Sequence, residues 1–210
     1  MVPEWLARTT ASGAAVGSSA CLASEAGVVL TPRNDSLSVG ECMAIERTCF
    51  EACEVMDIAA ELSHKRIQLI CESAAGGVVG YVVLQSFAPA SLGANSYAAL
   101  QRSLLLVNKL AVAQTHRRKG VGRALLARAI GHAYSTRAEA CVLHCDEANR
   151  PARTLYESMG FSVLDRRMNF YRLGRHALEM ELPLGSGQSC ESRGPHEMSA
   201  FFDFSATHDG

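Results

Sequence analysis

The apolar run Leu104-Leu105-Leu106-Val107-Asn108-Lys109-Leu110-Ala111-Val112 leads into Thr115-His116-Arg117-Arg118-Lys119-Gly120-Val121-Gly122-Arg123-Ala124. Beyond it, Val121, Leu125, Leu126, Ala129, Ile130 and Ala133 recur at helical spacing. A basic loop with two glycines thus joins the end of a buried strand to the start of an amphipathic helix. The first turn of a helix carries N–H groups without intrahelical acceptors and a partial positive charge. Glycine lets a bulky anion approach such a backbone closely. Arg117, Arg118, Lys119 and Arg123 place cationic side chains around the same turn. The stretch reads as an anion-binding device, with a diphosphate as its natural guest. It lacks the Walker spacing of glycines and Gly-Lys-Ser/Thr. It also lacks the first glycine and the downstream acid of the dinucleotide-binding fingerprint.

The charge distribution agrees with that reading. No Asp or Glu lies between Glu72 and Glu139, whereas Arg102, Lys109, Arg117, Arg118, Lys119, Arg123, Arg128 and Arg137 do. The preceding segment is acidic, with Glu41, Glu46, Glu51, Glu54, Asp57 and Glu61. One part of the chain favours a polyanion and the other could attract a cationic amine. A net charge of −1 excludes a general nucleic-acid binder. No apolar run is long enough to span a membrane. Hydrophobic residues at 48% are enough for one domain with a real core.

The eight cysteines form no C-x-x-C pair, and several sit in apolar runs as small hydrophobes. Cys141, His144 and Cys145 resemble metal ligands, but a strand sends His144 to the face opposite Cys145. No second ligand pair has zinc spacing, so no metal is expected. The thiols suit a reducing compartment.

The element order reads as follows. A strand is expected at Val28–Thr31, helices near Val39–Glu51 and Glu54–Ser63, and a hairpin of Arg66–Ser73 and Val78–Phe87 around Gly76-Gly77. Residues 88–102 form a long loop that either faces substrate or lacks order. After the central strand, basic loop and helix come a strand at Glu139–Cys145 and a helix from Arg150 to about Met159. Asn149 caps that helix and Gly160 terminates it. A strand from Phe161 to about Met168, a loop at Asn169–Arg175 and a last strand at His176–Leu182 complete the order. Residues 1–26 are expected to be a disordered or targeting tail, 27–184 the domain, and 185–210 a disordered tail. The compartment is then cytoplasmic, or a plastid or mitochondrion if the first tail is a transit peptide.

The hexapeptide Arg117-Arg118-Lys119-Gly120-Val121-Gly122 and this order resemble the GNAT N-acetyltransferase superfamily over about Val28–Leu184. The resemblance implies an α/β fold. Its central sheet is mixed and mostly antiparallel, of about seven strands with about four helices, and acyl-CoA lies in the splay between the fourth and fifth strands. Arg117, Arg118, Lys119, Gly120, Val121, Gly122, Arg123 and Ala124 would hold the CoA pyrophosphate of acetyl-CoA. Leu110, Ala111 and Val112 would run beside the pantetheine arm, with the Val112 amide as oxyanion donor.

The stretch Asn149-Arg150-Pro151-Ala152-Arg153-Thr154-Leu155-Tyr156-Glu157-Ser158-Met159-Gly160-Phe161 resembles the family's Asn-x(6)-Tyr-x(3)-Gly-Phe segment. The resemblance makes Tyr156 a general acid for the leaving thiolate and puts Asn149 on the pantetheine or pyrophosphate arm. A phenol with a pKa near 10 is protonated at neutral pH and can donate. His144 matches a position that carries a base in the N-terminal acetyltransferase branch. Each has a structural alternative: sheet packing for Tyr156, a hydrogen-bonded sheet histidine for His144, a helix cap for Asn149. His116 and His132 read as solvated.

Asn169-Phe170-Tyr171 and Ala177-Leu178-Glu179-Met180-Glu181-Leu182 are similar to the end of the ribosomal-protein alanine acetyltransferase and of eukaryotic N-terminal acetyltransferases. Those enzymes carry an Asn-Tyr-Tyr-like loop over the first residues of a protein substrate, and Phe170 departs from it. The facing wall is often Phe-Pro; here it is Phe50-Glu51, and Leu106 replaces a central-strand tyrosine. The resemblance implies acetylation of a protein N-terminus, with Phe50 and Tyr171 contacting substrate, and leaves room for an auxiliary subunit. Acetylation of lysine or a small amine, and a non-catalytic CoA-binding module, are the alternatives. An α-amine with pKa about 8 loses its proton at neutral pH more readily than a lysine at about 10.4, by roughly 3 kcal/mol.

Overall fold

The computed structural model describes residues 22–23, 29–33, 36–74, 77–87 and 102–185. Eight strands form one sheet in the order β1-β2-β3-β4-β5-β6-β8-β7. They are β1 (Leu22–Ala23), β2 (Val29–Arg33), β3 (Ile67–Ala74), β4 (Gly77–Phe87), β5 (Leu104–Val112), β6 (Ala140–Asp146), β7 (Ser162–Arg172) and β8 (Arg175–Pro183). The helices are α1 (Ser36–Cys49), α2 (Ile58–Glu61), α3 (Val121–Ser135) and α4 (Arg150–Ser158). The strand beyond the seven expected is β1, two residues long. It falls within the segment 1–26 expected to be a tail; the rest of that segment, residues 88–101 and residues 186–210 lie outside the described residues.

Two local expectations change. The helix expected at Glu54–Ser63 is a 3-10 turn at Ala52–Glu54 followed by the single turn α2, capped by Asp57. Residues Asn169–Arg175, expected as a loop, are mostly strand, because β7 pairs with β8 as far as Arg172↔Arg175. Asn169 takes a φ of 56° there, and its side chain accepts a hydrogen bond from the Gly174 N–H at 2.8 Å. A non-glycine residue in this conformation with its own local hydrogen bond reads as a turn from sequence.

Every adjacent pair is antiparallel except β5 and β6, which run parallel because α3 carries the chain back between them. Their pairing covers only Leu104↔Ala140 to Val107↔Leu143. Beyond it, β5 stays on β4 as far as Gly80↔Val112, and β6 stays on β8 as far as Asp146↔Ala177. Each strand is held from its outer side, so the inner sides part like a V. The register of β4 and β5 shifts between Val83 and Leu84, which leaves Asn108 without a partner across the strand. The bulge changes the parity of β5. Leu105 and Val107 before it, and Leu110 and Val112 after it, all pack on the α3 side.

That side carries the larger core, where Val121, Leu125, Leu126, Ala129, Ile130 and Ala133 of α3 meet Val82, Leu84 and Val107. All six helix positions named from the sequence spacing are buried. Gly80 permits the contact. A Cβ there would lie 2.9 Å from the Ala111 carbonyl oxygen and 3.0 Å from Val121. On the other side α1 covers Cys71, Tyr81, Val83 and Ala111 through Cys42 and Ile45.

Candidate active site

The two helices bordering the gap start differently. At α4, the Asn149 side chain accepts from the Ala152 N–H at 3.2 Å, and Pro151 occupies the first turn. At α3, the N-cap is Gly120 with φ 81° and no side-chain cap. Arg118 also takes a positive φ, 62°. Left-handed residues alternating with ordinary ones turn successive N–H groups toward one concave point, the shape that receives an anion. Gly122 keeps that turn open, since a Cβ there would lie 3.1 Å from Leu155 of α4. Of the four cations, two also hold protein. Arg117 donates from Nε to the Val112 carbonyl at 3.1 Å, and Arg123 donates from Nη2 to Ser158 Oγ at 3.1 Å. Arg118 is exposed and Lys119 half-buried on the same turn, and Ala124 closes it with an N–H to the Gly120 carbonyl at 3.0 Å.

A cavity of about 1700 Å³ occupies the gap. Five consecutive residues of β5, Leu106–Leu110, and four of β6, Leu143–Asp146, line it. Successive strand residues point to opposite faces. A space touching all of them therefore rounds both strand edges and passes through the sheet. The α3 side presents Leu110, Leu155, Tyr156 and Asn149; the opposite side presents Phe50, His144, Phe170 and Tyr171. On β5, Ala113 donates its N–H to Val79 of β4 at 2.9 Å. Ladder alternation then turns the N–H groups of Val112 and Leu110 toward the gap and that of Ala111 toward β4. Ala111 is buried against α1, and neither it nor Val112 lines the cavity.

Tyr156 is 8% exposed and packs at 6.1 Å on the Phe161 ring. Burial, reinforced by Cys145 and Tyr171, pushes its phenol above the ordinary tyrosine range. It stays protonated wherever a free tyrosine does, and further into alkali. Cys145, on the same side of the sheet, is pushed up to about 12 by burial and by Asp146. Such a thiol is a poor nucleophile at neutral pH. Cys141 and Cys145 both sit in the α3-side core, whereas His144 faces Glu179, as strand alternation requires.

His144 lies directly across from Glu179 in the β6–β8 ladder, its Nε2 3.7 Å from Glu179 Oε2. The Phe170 ring stacks on the imidazole at 4.6 Å and 16°. Glu179 is fully buried, and Arg167 donates to the same oxygen at 2.8 Å. Burial pushes the Glu179 carboxyl up, but the pairing with His144 and Arg167 outweighs it and holds the group below the usual carboxylate range.

The far wall joins distant segments. Lys109 Nζ lies 4.1 Å from the centre of the Phe50 ring, 2.5 Å from the Glu54 carbonyl and 3.3 Å from buried Glu46. Arg175 lies 4.8 Å from the Tyr171 ring centre and pairs with Asp146 at 2.5 Å and Glu54 at 2.7 Å. Arg172 reaches Glu51 at 3.3 Å. Of the acidic segment expected to attract a cation, Glu46, Glu51 and Glu54 are engaged by Lys109, Arg172 and Arg175, while Asp57 and Glu61 line the cavity. His132, expected to be solvated, is half-buried, and burial lowers its pKa; His116 is also half-buried, with Thr115 Oγ1 3.0 Å from its Nδ1. Sequence reasoning missed Glu179, Arg167 and Arg175 as site residues. The available signal was an acid at an inward position of an apolar strand, since Glu179 lies between Leu178 and Met180.

The acetyltransferase (GNAT) family model matches residues 41–161, more than half of the chain, with both β5 and β6 inside it. The chain belongs to the GNAT acetyltransferase family. As a GNAT enzyme it is an N-acetyltransferase that uses acetyl-CoA. Among curated proteins no sequence matches it. Solved structures similar to it include the ribosomal-protein-S18-alanine N-acetyltransferase from Escherichia coli, at 19% identity and TM-score 0.60, covering 78% of this chain and 99% of that one. NAA60 of Arabidopsis thaliana with a bisubstrate analogue is 16% identical at TM-score 0.62, covering 75% and 99%. Ard1 from Thermoplasma volcanium is 19% identical at TM-score 0.61, covering 74% and 97%. These likenesses establish the GNAT fold. Among the described residues no helix is long and apolar enough to cross a membrane.

Proposed function

We propose that this GNAT enzyme acetylates the α-amine of a protein or peptide N-terminus by direct attack in a ternary complex. The observation that carries the reading is the cavity through the sheet, with Tyr156 on its α3 side and His144 on the other. Two substrates entering from opposite faces meet in the gap without a covalent enzyme intermediate. Acetyl-CoA supplies the thioester. The N–H groups of the Gly120–Ala124 turn, with Arg117, Arg118, Lys119 and Arg123, hold its diphosphate. Leu110, Ala111, Val112 and Asn149 border its pantetheine arm. His144 takes the proton of the attacking amine. The Val112 N–H faces the developing oxyanion. The Tyr156 hydroxyl gives its proton to the departing sulfur. Phe50 and Tyr171 flank the acceptor.

Two considerations favour an α-amine over lysine. One histidine is a sufficient base for a group with pKa about 8 and a weak one for a group near 10.4. Similar folds also belong to the ribosomal-protein-S18-alanine N-acetyltransferase and to a NatC complex bound to a Gag peptide and CoA. The test is incubation with acetyl-CoA and a peptide library, each peptide with a free or a blocked N-terminus. Acetylation confined to free N-termini is expected. Equal labelling of blocked, lysine-bearing peptides sinks the α-amine assignment. Tight acetyl-CoA binding without turnover on any amine would instead mark a CoA-binding module.

A further inference from the structure

The segment between α1 and α2 carries part of the acceptor wall but has little apolar anchorage. Its 3-10 turn, Ala52–Glu54, buries no residue. Such a turn keeps one position only if polar contacts hold it. Two cations supply them, and both converge on Glu54. Lys109 of β5 donates from Nζ to the Glu54 carbonyl at 2.5 Å. Arg175 of β8 donates from Nη1 to the Glu54 carboxylate at 2.7 Å. The same two cations hold the two rings that flank the acceptor. Lys109 lies 4.1 Å from the centre of the Phe50 ring, and Arg175 lies 4.8 Å from that of Tyr171. All five residues line the cavity. Glu54, with 13% of its side chain exposed, is sheltered from the solvent that weakens surface ion pairs. Glu51, 3.6 Å from Arg175, is 47% exposed and is not sheltered in this way.

The two cations stand on opposite sides of the gap. β5 and β6 stop pairing after Val107 and Leu143. Lys109 lies beyond Val107 on β5, and Arg175 is fixed to Asp146, beyond Leu143 on β6, at 2.5 Å. Glu54 thus bridges the open end of the V, its main chain held from β5 and its side chain held from the β6–β8 side. We propose that Glu54 is a positioning residue that ties the parted strands together and sets the distance between Phe50 and Tyr171, and with it the fit of the acceptor. The inference rests on the acceptor lying between those two rings. Glu46 secures the β5 side of the tie. Its buried carboxylate accepts from the Met56 N–H at 2.9 Å and lies 3.3 Å from Lys109 Nζ. Every group in the tie belongs to the acceptor wall, so it acts on the acceptor and not on acetyl-CoA.

Steady-state kinetics of the full chain and hydrogen exchange over residues 50–56 test the tie, the second without any acceptor present. Glu54→Gln keeps the main-chain bond to Lys109 and removes the charge that grips Arg175. It is expected to raise the acceptor KM about fivefold to tenfold, to leave the acetyl-CoA KM within about twofold, and to speed exchange over residues 50–56. Arg175→Lys keeps a cation beside Tyr171 but loses the fork that reaches Asp146 and Glu54 together. The same rise and the same faster exchange are expected of it. The double variant is expected to be no worse than the worse single one, because both break one contact. A merely structural role would raise both KM values and add in the double variant. An unchanged acceptor KM, unchanged exchange, a parallel rise for acetyl-CoA, or additive losses overturn the proposal. If the peptide library shows lysine as the acceptor, the α-amine reading fails. The tie is then still decided by the exchange rates and by the KM of the lysine peptide. Should Glu54→Gln not fold, Arg175→Lys carries the test, and an unchanged acceptor KM there overturns the proposal.

Discussion

The basic turn, which does not itself line the cavity, and the acceptor wall are built in different ways. The α3 end is local: Arg117 through Ala124 are contiguous, and the chain that turns there also provides the helix N-terminus and the cations. The acceptor end is assembled from Phe50 and Glu54 after α1, Lys109 on β5, His144 and Asp146 on β6, and Arg167 through Arg175 on the β7–β8 hairpin. Main-chain N–H groups recognise a diphosphate, and a short segment can present them. An acceptor is recognised by side chains converging from several elements, so its wall depends on pairs such as Arg175–Glu54 that are far apart in sequence.

The comparison can be broken by asking whether each end fails separately. The largest effect is expected in the middle. Tyr156→Phe should lower kcat by about 10²–10⁴-fold while acetyl-CoA affinity, read by calorimetry, stays unchanged; undiminished turnover removes the acid role. At the local end, the double change Arg118→Ala with Lys119→Ala should raise the KM for acetyl-CoA about tenfold or more and leave the acceptor KM alone. The loss should shrink at high salt. An equal rise in both KM values would show that the ends are not separable. At the assembled end, Phe50→Ala should raise the acceptor KM several-fold, about 1 kcal/mol, with acetyl-CoA binding intact. The smallest effect is expected at Cys53, an exposed thiol in the cavity wall. Cys53→Ser should stay within about twofold of wild type in kcat, since surface changes away from reacting groups usually fall within 0.5 kcal/mol. Loss of turnover there would point to an acyl-enzyme and against direct attack.

Glu179 also gives the acceptor end a pH signature in stability. Its folded-state pKa lies below the usual carboxylate value, so its contribution is present above the unfolded pKa and lost as pH falls through the folded one. The stability of the wild type against thermal unfolding should fall on acidification below about pH 4, and Glu179→Gln should flatten that slope.

The apolar period of α3, the Asn149 cap, the Gly160 stop and the glycine-bearing basic turn were legible because each depends on neighbours within one helical turn or one loop. The opposite directions of His144 and Cys145 followed from strand alternation alone. The Asn108 bulge and the strand pairing of Asn169–Arg172 were not legible, because both are set by register against another strand. Glu179 could be read as an acid in an apolar strand, but not as the partner of His144, 35 positions away.

The sequence by itself determined the anion-receiving turn and the helix behind it, since hydrophobic spacing and glycine conformation act over short distances. Only the tertiary structure decided where the expected splay begins, with β5 and β6 parting after Val107 and Leu143 around the cavity. It also decided which charges meet at the acceptor end. The physical reason is that strand divergence and ion pairing are fixed by which neighbour each strand keeps, and that choice is made by the whole sheet.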